Sequence, residues 1–312
     1  MINMTSNPLA EDVLRARTLD EFVGQQPFKD RLKITLAAAI AEKRPPGNML
    51  LIAQPGFGKT SLAAIIADSL GAPFELRTCP VETVNLVGLL QLEMFEGVLL
   101  LDELHRASTK QQEELLPLIE FGYLQYRGNK YKAGWLMVIG ATTQPKKIIG
   151  PLRDRFDLEP KMDDYTTEEL AEILQRMSQR LNVGLPDAEV LDLAGAMSGS
   201  PRNARRFALA ARDLTVLGGQ VPDAQMILDH LRVDRDGMTV DHWRYLAALR
   251  KLGAKAGLKP LASYLNESEE VVEGIERLLI DTELIEYAND GRHLLPEGFE
   301  RLRKRKVAPS GP

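Results

Sequence analysis

Four side chains in this sequence are of the right type and spacing to do chemistry together: Lys59, Thr60, Asp102 and Glu103. Lys59 ends the stretch Pro55-Gly56-Phe57-Gly58-Lys59, and Thr60 and Ser61 follow it. An apolar run at 49–52 comes before this stretch, and an Ala/Ile/Leu-rich segment at 61–70 comes after. Strand, glycine loop and helix in that order make a phosphate-binding P-loop. The glycines let backbone N–H groups converge on an anion, and the helix N-terminus adds partial positive charge. Lys59 then meets the β- and γ-phosphates of ATP, and the Thr60 hydroxyl holds Mg²⁺. Ala53 and Gln54 occupy the place of the motif's first glycine and its neighbour. Alanine tolerates positive φ poorly, so altered phosphate affinity is expected at that end of the loop. Asp102-Glu103 ends the unbroken apolar run 98–101, the form of a buried parallel strand with carboxylates at its C-terminal edge. Ligands of open α/β sheets sit at that edge. There Asp102 completes the Mg²⁺ shell and Glu103 polarises the attacking water. Such hydrolysis rests on positioning and charge stabilisation more than on covalent chemistry.

These groups need a sheet to hold them. Helical periodicity at 27–43 stops at Pro45-Pro46-Gly47, just before the first strand. A second short strand is expected at 74–77, then a helix from beyond Pro80 to Glu96, the strand 98–101, and a helix at 110–120. Segment 123–132 alternates around Gly128-Asn129 like a hairpin, and 136–139 is another buried strand, leading to Thr143. Strands alternating with helices predict a parallel sheet covered on both faces, an α/β P-loop NTPase. After Pro160 the strands stop. Helical spacing at 166–181, 187–197 and 201–217 predicts a small helical domain. Helices at 241–252, 258–265 and 268–281, then a ribbon turning at Asn289-Asp290-Gly291, suggest a winged helix. The expected division is 1–162, 163–235 and 236–312, with a basic tail at 301–306 that frays.

Composition narrows the class. Of the 312 residues 44% are hydrophobic and 27% charged, an ordinary soluble balance. The net charge of −5 means that a nucleic-acid partner has to be held by local cations such as Arg292, Arg301 and Arg303. A lone Cys79 excludes an internal disulfide framework and fits a reducing, cytoplasmic setting. No apolar run approaches the roughly 20 residues that span a bilayer.

Taken in order, Leu-Arg-Ala-Arg-Thr-Leu-Asp-Glu-Phe-Val-Gly-Gln (14–25), Pro-Gly-Phe-Gly-Lys-Thr (55–60), Leu-Asp-Glu-Leu-His-Arg (101–106), Ile-Gly-Ala-Thr-Thr (139–143), Pro-Leu-Arg-Asp-Arg-Phe (151–156) and Gly-Ser-Pro-Arg-Asn-Ala-Arg-Arg (199–206) resemble the RuvB family of AAA+ motors for Holliday-junction branch migration. The resemblance runs from about residue 14 to 303. It implies that Asp102 and Glu103 are Walker B, Thr143 is sensor 1, Arg202 is sensor 2 and Arg155 is an arginine finger for the neighbouring subunit, with Arg153 as the competing choice. It also implies that Leu14, Arg15, Phe22, Val23 and Pro201 surround the adenine, that the chain forms a homo-hexamer on four-way junction DNA, and that a RuvA-like protein docks on the hairpin. Segment 121–135 is shorter than the family's hairpin, and the ribbon carries fewer arginines around Arg292. An ATP-dependent clamp-loader or initiator-like protein, which loads or remodels a partner on DNA, is the alternative from another class.

Overall fold

A computed structural model describes residues 14–92 and 95–307. The chain forms two compact units, Met1–Ile173 with Gly199–Arg205 and Leu174–Ser198 with Arg206–Pro312.

The first unit is built on a parallel sheet of four strands, β1 (Met49–Ile52), β2 (Phe74–Thr78), β3 (Gly97–Asp102) and β6 (Leu136–Thr142), in the order β1-β6-β3-β2. Leu50, Leu99, Leu101 and Val138 are almost fully buried, as expected of strands covered on both faces. The segment 158–162 lies along the free side of β1. Leu50 N–H donates to Leu158 C=O at 2.8 Å, and Met162 N–H donates to Ile52 C=O at 2.9 Å. Around the sheet run α1 (Gln26–Glu42), α2 (Lys59–Leu70), α3 (Thr83–Val87), α4 (Thr109–Phe121) and the short α5 (Gly150–Arg153). Ser108 caps α4 in a reciprocal box with Gln111. The helix expected up to Glu96 is instead α3 and a wider π turn at Gly88–Leu92, and its expected course through 93–94 falls outside the described residues.

The hairpin pairs β4 (Tyr123–Tyr126) with β5 (Asn129–Lys132). Its turn is centred on Arg127-Gly128, with φ of 48° and 81°, one residue earlier than the sequence suggested. A two-residue loop with both φ positive matches the twist of the strands.

The second unit carries α7 (Asp187–Gly195), α9 (Ala224–Leu231) and most of α8 (Pro201–Gly218). It continues into α10 (Val240–Lys251), β7 (Lys255–Ala256), α11 (Leu258–Leu265), α12 (Glu269–Asp281), β8 (Ile285–Ala288), β9 (Gly291–Leu294) and α13 (Pro296–Val307). The small sheet has the order β7-β9-β8. Tyr245, Leu249, Leu261, Val272, Leu279 and Ile285 fill the core of this winged helix. The expected fraying tail is a correction: 301–306 belongs to α13, because Leu302 is buried and Arg305 lies over the Trp243 ring at 4.4 Å. The side chain of Lys306 falls outside the described residues. Between α5 and α7, α6 (Thr167–Arg180) is strongly amphipathic. Among the described residues no helix is long and apolar enough to cross a membrane.

Candidate nucleotide site

Because the sheet is parallel, β1, β3 and β6 deliver their C-terminal ends to one edge. Ile52 pairs in register with Thr142, and Leu101 with Gly140. The glycine loop after Ile52, the carboxylates of Asp102 and Glu103, and Thr142-Thr143 therefore share that edge, with β6 between the other two.

Gly56 and Gly58 take φ of 84° and 93°, while neither Ala53 nor Gln54 has a positive φ. The alanine therefore costs the loop no backbone strain, and strain is the physical ground on which altered phosphate affinity is expected at that end. A Cβ on Gly58 would stand 3.2 Å from Phe22 Cε2, so the buried Phe22 ring closes over the loop. Phe57 is buried, its ring meeting Tyr165 edge-on at 5.5 Å, and Tyr165 O–H donates to Phe57 C=O at 3.2 Å. Gly58 caps α2 with no side-chain partner for the first N–H groups, which leaves them as donors for an anion.

Lys59 is buried and gives its ammonium to the loop's own carbonyls, Ala53 at 2.9 Å and Gln54 at 3.2 Å. Burial holds its pKa below the ordinary lysine value, and the charges of Asp102 and then Glu103 oppose that shift while Arg202 adds to it. Asp102, Glu103 and Arg202 thus all lie close enough for their charges to act on Lys59. Arg202 is exposed, and its Cβ lies 2.9 Å from where a Cβ on Gly56 would stand. Pro201 opens α8 beside it.

Glu103 N–H donates to Asp102 Oδ1 at 2.9 Å, and Glu103 itself sits in the left-handed region at φ 52°. Thr60 and Asp102 offer a hydroxyl and a carboxylate, the hard oxygen donors that suit Mg²⁺. Among the described residues no cluster of three or more His, Cys, Asp or Glu could hold a metal ion. A two-ligand set fits a cation that arrives with nucleotide phosphates.

Leu14, Phe22 and Val23 are buried, and Arg15 is exposed. Lys29 Nζ donates to Phe22 C=O at 2.6 Å, and Gln25 exchanges two hydrogen bonds with the Asp163 backbone at 2.8 and 2.9 Å. This fixes the 22–25 segment against the 163–169 region.

The two candidate fingers are differently engaged. Arg153 makes a bidentate pair with Glu159. Arg155 gives Nε to Glu120 at 2.5 Å and Nη1 to Pro151 C=O at 2.6 Å. Neither arginine is among the charges that act on Lys59.

Arg292 corrects an expectation. Expected as a cation for nucleic acid, it stands on β9 with Nε 2.8 Å from Glu276 Oε1 and Nη2 3.1 Å from Oε2. Glu276 is fully buried and also accepts from Tyr245 O–H at 2.7 Å and Tyr287 O–H at 2.6 Å. Two of the five Arg292 N–H donors are committed to this buried carboxylate and the side chain is only 16% exposed, so the charge is engaged inside the unit rather than offered to phosphate. Arg301 is paired with Asp236 at 2.6 Å and Glu297 at 3.2 Å, whereas Arg303 is exposed. Sequence reasoning missed Glu276, although its place in the apolar row Val272-Glu276-Leu279 of α12 marked it as inward-facing. It also passed over Thr142, whose hydroxyl meets His105.

The sequence model of the Holliday junction DNA helicase RuvB P-loop domain matches residues 14–162, and that of the RuvB C-terminal winged helix domain matches residues 235–303. Solved structures agree. The Thermotoga maritima RuvB Holliday junction branch migration motor superposes with a TM-score of 0.83 at 27% identity, covering 93% of this chain and 98% of that one. A point mutant of Thermotoga maritima RuvB gives 0.83 at 28% over the same shares. Between them the two family domains take in both the P-loop and the winged helix, and the chain belongs to the RuvB family.

Proposed function

We propose that this chain is an ATP-driven DNA motor of RuvB type, which moves the branch point of four-way junctions in recombination and repair. One observation carries the reading: the buried Lys59, held on the glycine loop's own carbonyls, lies within the fields of Asp102, Glu103 and Arg202 at the edge of the sheet where the loop opens. On this reading Lys59 exchanges two neutral carbonyls for the β- and γ-phosphates, and Arg202 joins it from beside Gly56. Glu103 orients the attacking water, with Thr143 beside it at the end of β6. Mg²⁺, held by Thr60 and Asp102, would screen the phosphate charge. Loop residues Pro55, Phe57 and Ser61 complete the cradle, and Leu14, Arg15, Phe22, Val23 and Pro201 line the adenine side. Arg155, whose partners in its own unit lie outside this group, reaches a neighbouring subunit of a homo-hexamer. The three-domain division at 162/163 and 235/236, cytoplasmic residence, and a RuvA-like partner on the short hairpin belong to the same reading. DNA is met by the exposed cations of α13, Arg303, Lys304 and Arg305.

A second reading, an ATP-dependent loader or remodeller, has one observation in its favour. The outer face of α12 carries Glu269, Glu270 and Glu273, all exposed, and these repel a phosphate backbone. A labelled four-way junction separates the two. Wild type resolves it into branch-migrated products with ATP and not with a non-hydrolysable analogue, and Glu103→Gln binds ATP yet gives none. ATP turnover without product would favour the loader.

A further inference from the structure

The carboxylate of Glu103 has a histidine beside it. His105 Nε2 stands 3.2 Å from Glu103 Oε2, and the other ring nitrogen, Nδ1, stands 3.2 Å from Thr142 Oγ1. The Gln144 N–H donates to the same hydroxyl at 3.0 Å. Counting donors gives this chain of contacts a direction. The Glu103 carboxylate can only accept, so on a neutral ring the proton sits on Nε2 and Nδ1 is the acceptor. Thr142 O–H then donates to Nδ1 while its oxygen accepts from Gln144, and Nε2–H faces Glu103 Oε2 as a close polar contact. Burial also holds His105 below the ordinary histidine pKa, in keeping with a neutral ring. Arg106 approaches the same carboxylate oxygen at 3.6 Å, but its side chain is 61% exposed against 6% for His105. Water screens the arginine, and the histidine contact dominates.

We propose that His105 is a positioning residue, which ties the carboxylate of Glu103 through Thr142 to the end of β6, one residue before Thr143. This rests on the hydrolytic reading above. Glu103 occupies a backbone region that L-residues seldom adopt, and such conformations persist where neighbours over-determine them. The His105 tether is one such restraint, and it adds nothing to the Lys59 loop that grips the phosphates. Removing it lets the carboxylate wander while the nucleotide still binds.

The test uses the full chain with Mg²⁺ and ATP. His105→Ala lowers kcat roughly tenfold and leaves the KM for ATP within about twofold, the size of effect seen when an outer partner of an active-site group is lost. His105→Gln, whose amide can present an N–H to Glu103, recovers much of kcat. Thr142→Val, which keeps shape and removes the hydroxyl, lowers kcat in the same direction. ¹⁵N shifts of His105 show the Nε2–H tautomer in wild type and a mixture in Thr142→Val. In a Glu103→Gln background His105→Ala costs nothing more. An unchanged kcat in His105→Ala, or an additive loss in that background, overturns the proposal while leaving hydrolysis standing. A wild type that binds ATP through Lys59 but does not turn it over removes the hydrolytic reading itself, and this proposal with it.

Discussion

Lys59 and Arg292 are both largely buried cations, one in each compact unit, and their surroundings differ in kind. Lys59 has only neutral acceptors within hydrogen-bond reach, and burial pulls its pKa down. Arg292 meets both oxygens of Glu276, stacks on Tyr287 at 5.0 Å, and has its pKa raised by the carboxylate. Two tyrosine hydroxyls complete Glu276. The difference separates charge kept for a ligand from charge that holds a fold together. A buried cation whose partners are carbonyls can change them for phosphate oxygens, whereas one locked in a satisfied pair cannot leave without stranding a carboxylate.

The largest effect belongs to a third cation, which tests whether the first unit is complete by itself. Arg155→Ala lowers turnover by on the order of 10³ if Arg155 reaches a neighbour's nucleotide. Mixing Arg155→Ala with Glu103→Gln subunits then restores part of the rate, because some interfaces keep both groups. A loss of less than about twofold would place the finger elsewhere, with Arg153 next in line. The committed pair gives the next effect. Arg292→Ala leaves Glu276 buried and unpaired and lowers unfolding stability by about 3 kcal/mol or more in urea titrations of the full chain. Replacing Arg292 and Glu276 together by Met and Leu costs clearly less, since no charge is stranded. Equal losses in the two variants would break the contrast with Lys59. The smallest effect sharpens it from the surface. Arg303→Ala leaves stability unchanged and flattens the slope of log K against log salt for junction binding by about 0.9, the share of one phosphate contact.

How much of this could be read in the sequence follows from the same physics. The strands β1, β3 and β6 are continuous apolar runs flanked by turn residues, and their ends carry the loop, the acids and the threonines directly. α11 has the bounds that its periodicity gives, and Ser268 caps α12 as its type suggests. Arg292 was misread because proximity to Asn289-Asp290 says nothing about which face of β9 it occupies. Its register opposite Tyr287, above Glu276, depends on how three elements pack. The concern over Ala53 had the same source, since only the backbone shows that the positive φ values fall at Gly56 and Gly58. The basic tail looked like a solvated run because one buried leucine among charges, Leu302, is a weak periodic signal.

Equilibrium binding of ATP with Mg²⁺ to wild type, Lys59→Ala and Arg292→Ala, below the unfolding range of all three, tests the central contrast most directly. Lys59→Ala weakens binding by roughly a hundredfold or more, about 3 kcal/mol for a charge-assisted contact to phosphate, and Arg292→Ala binds as wild type does. Wild-type affinity in Lys59→Ala, or a comparable loss in Arg292→Ala, would contradict the account.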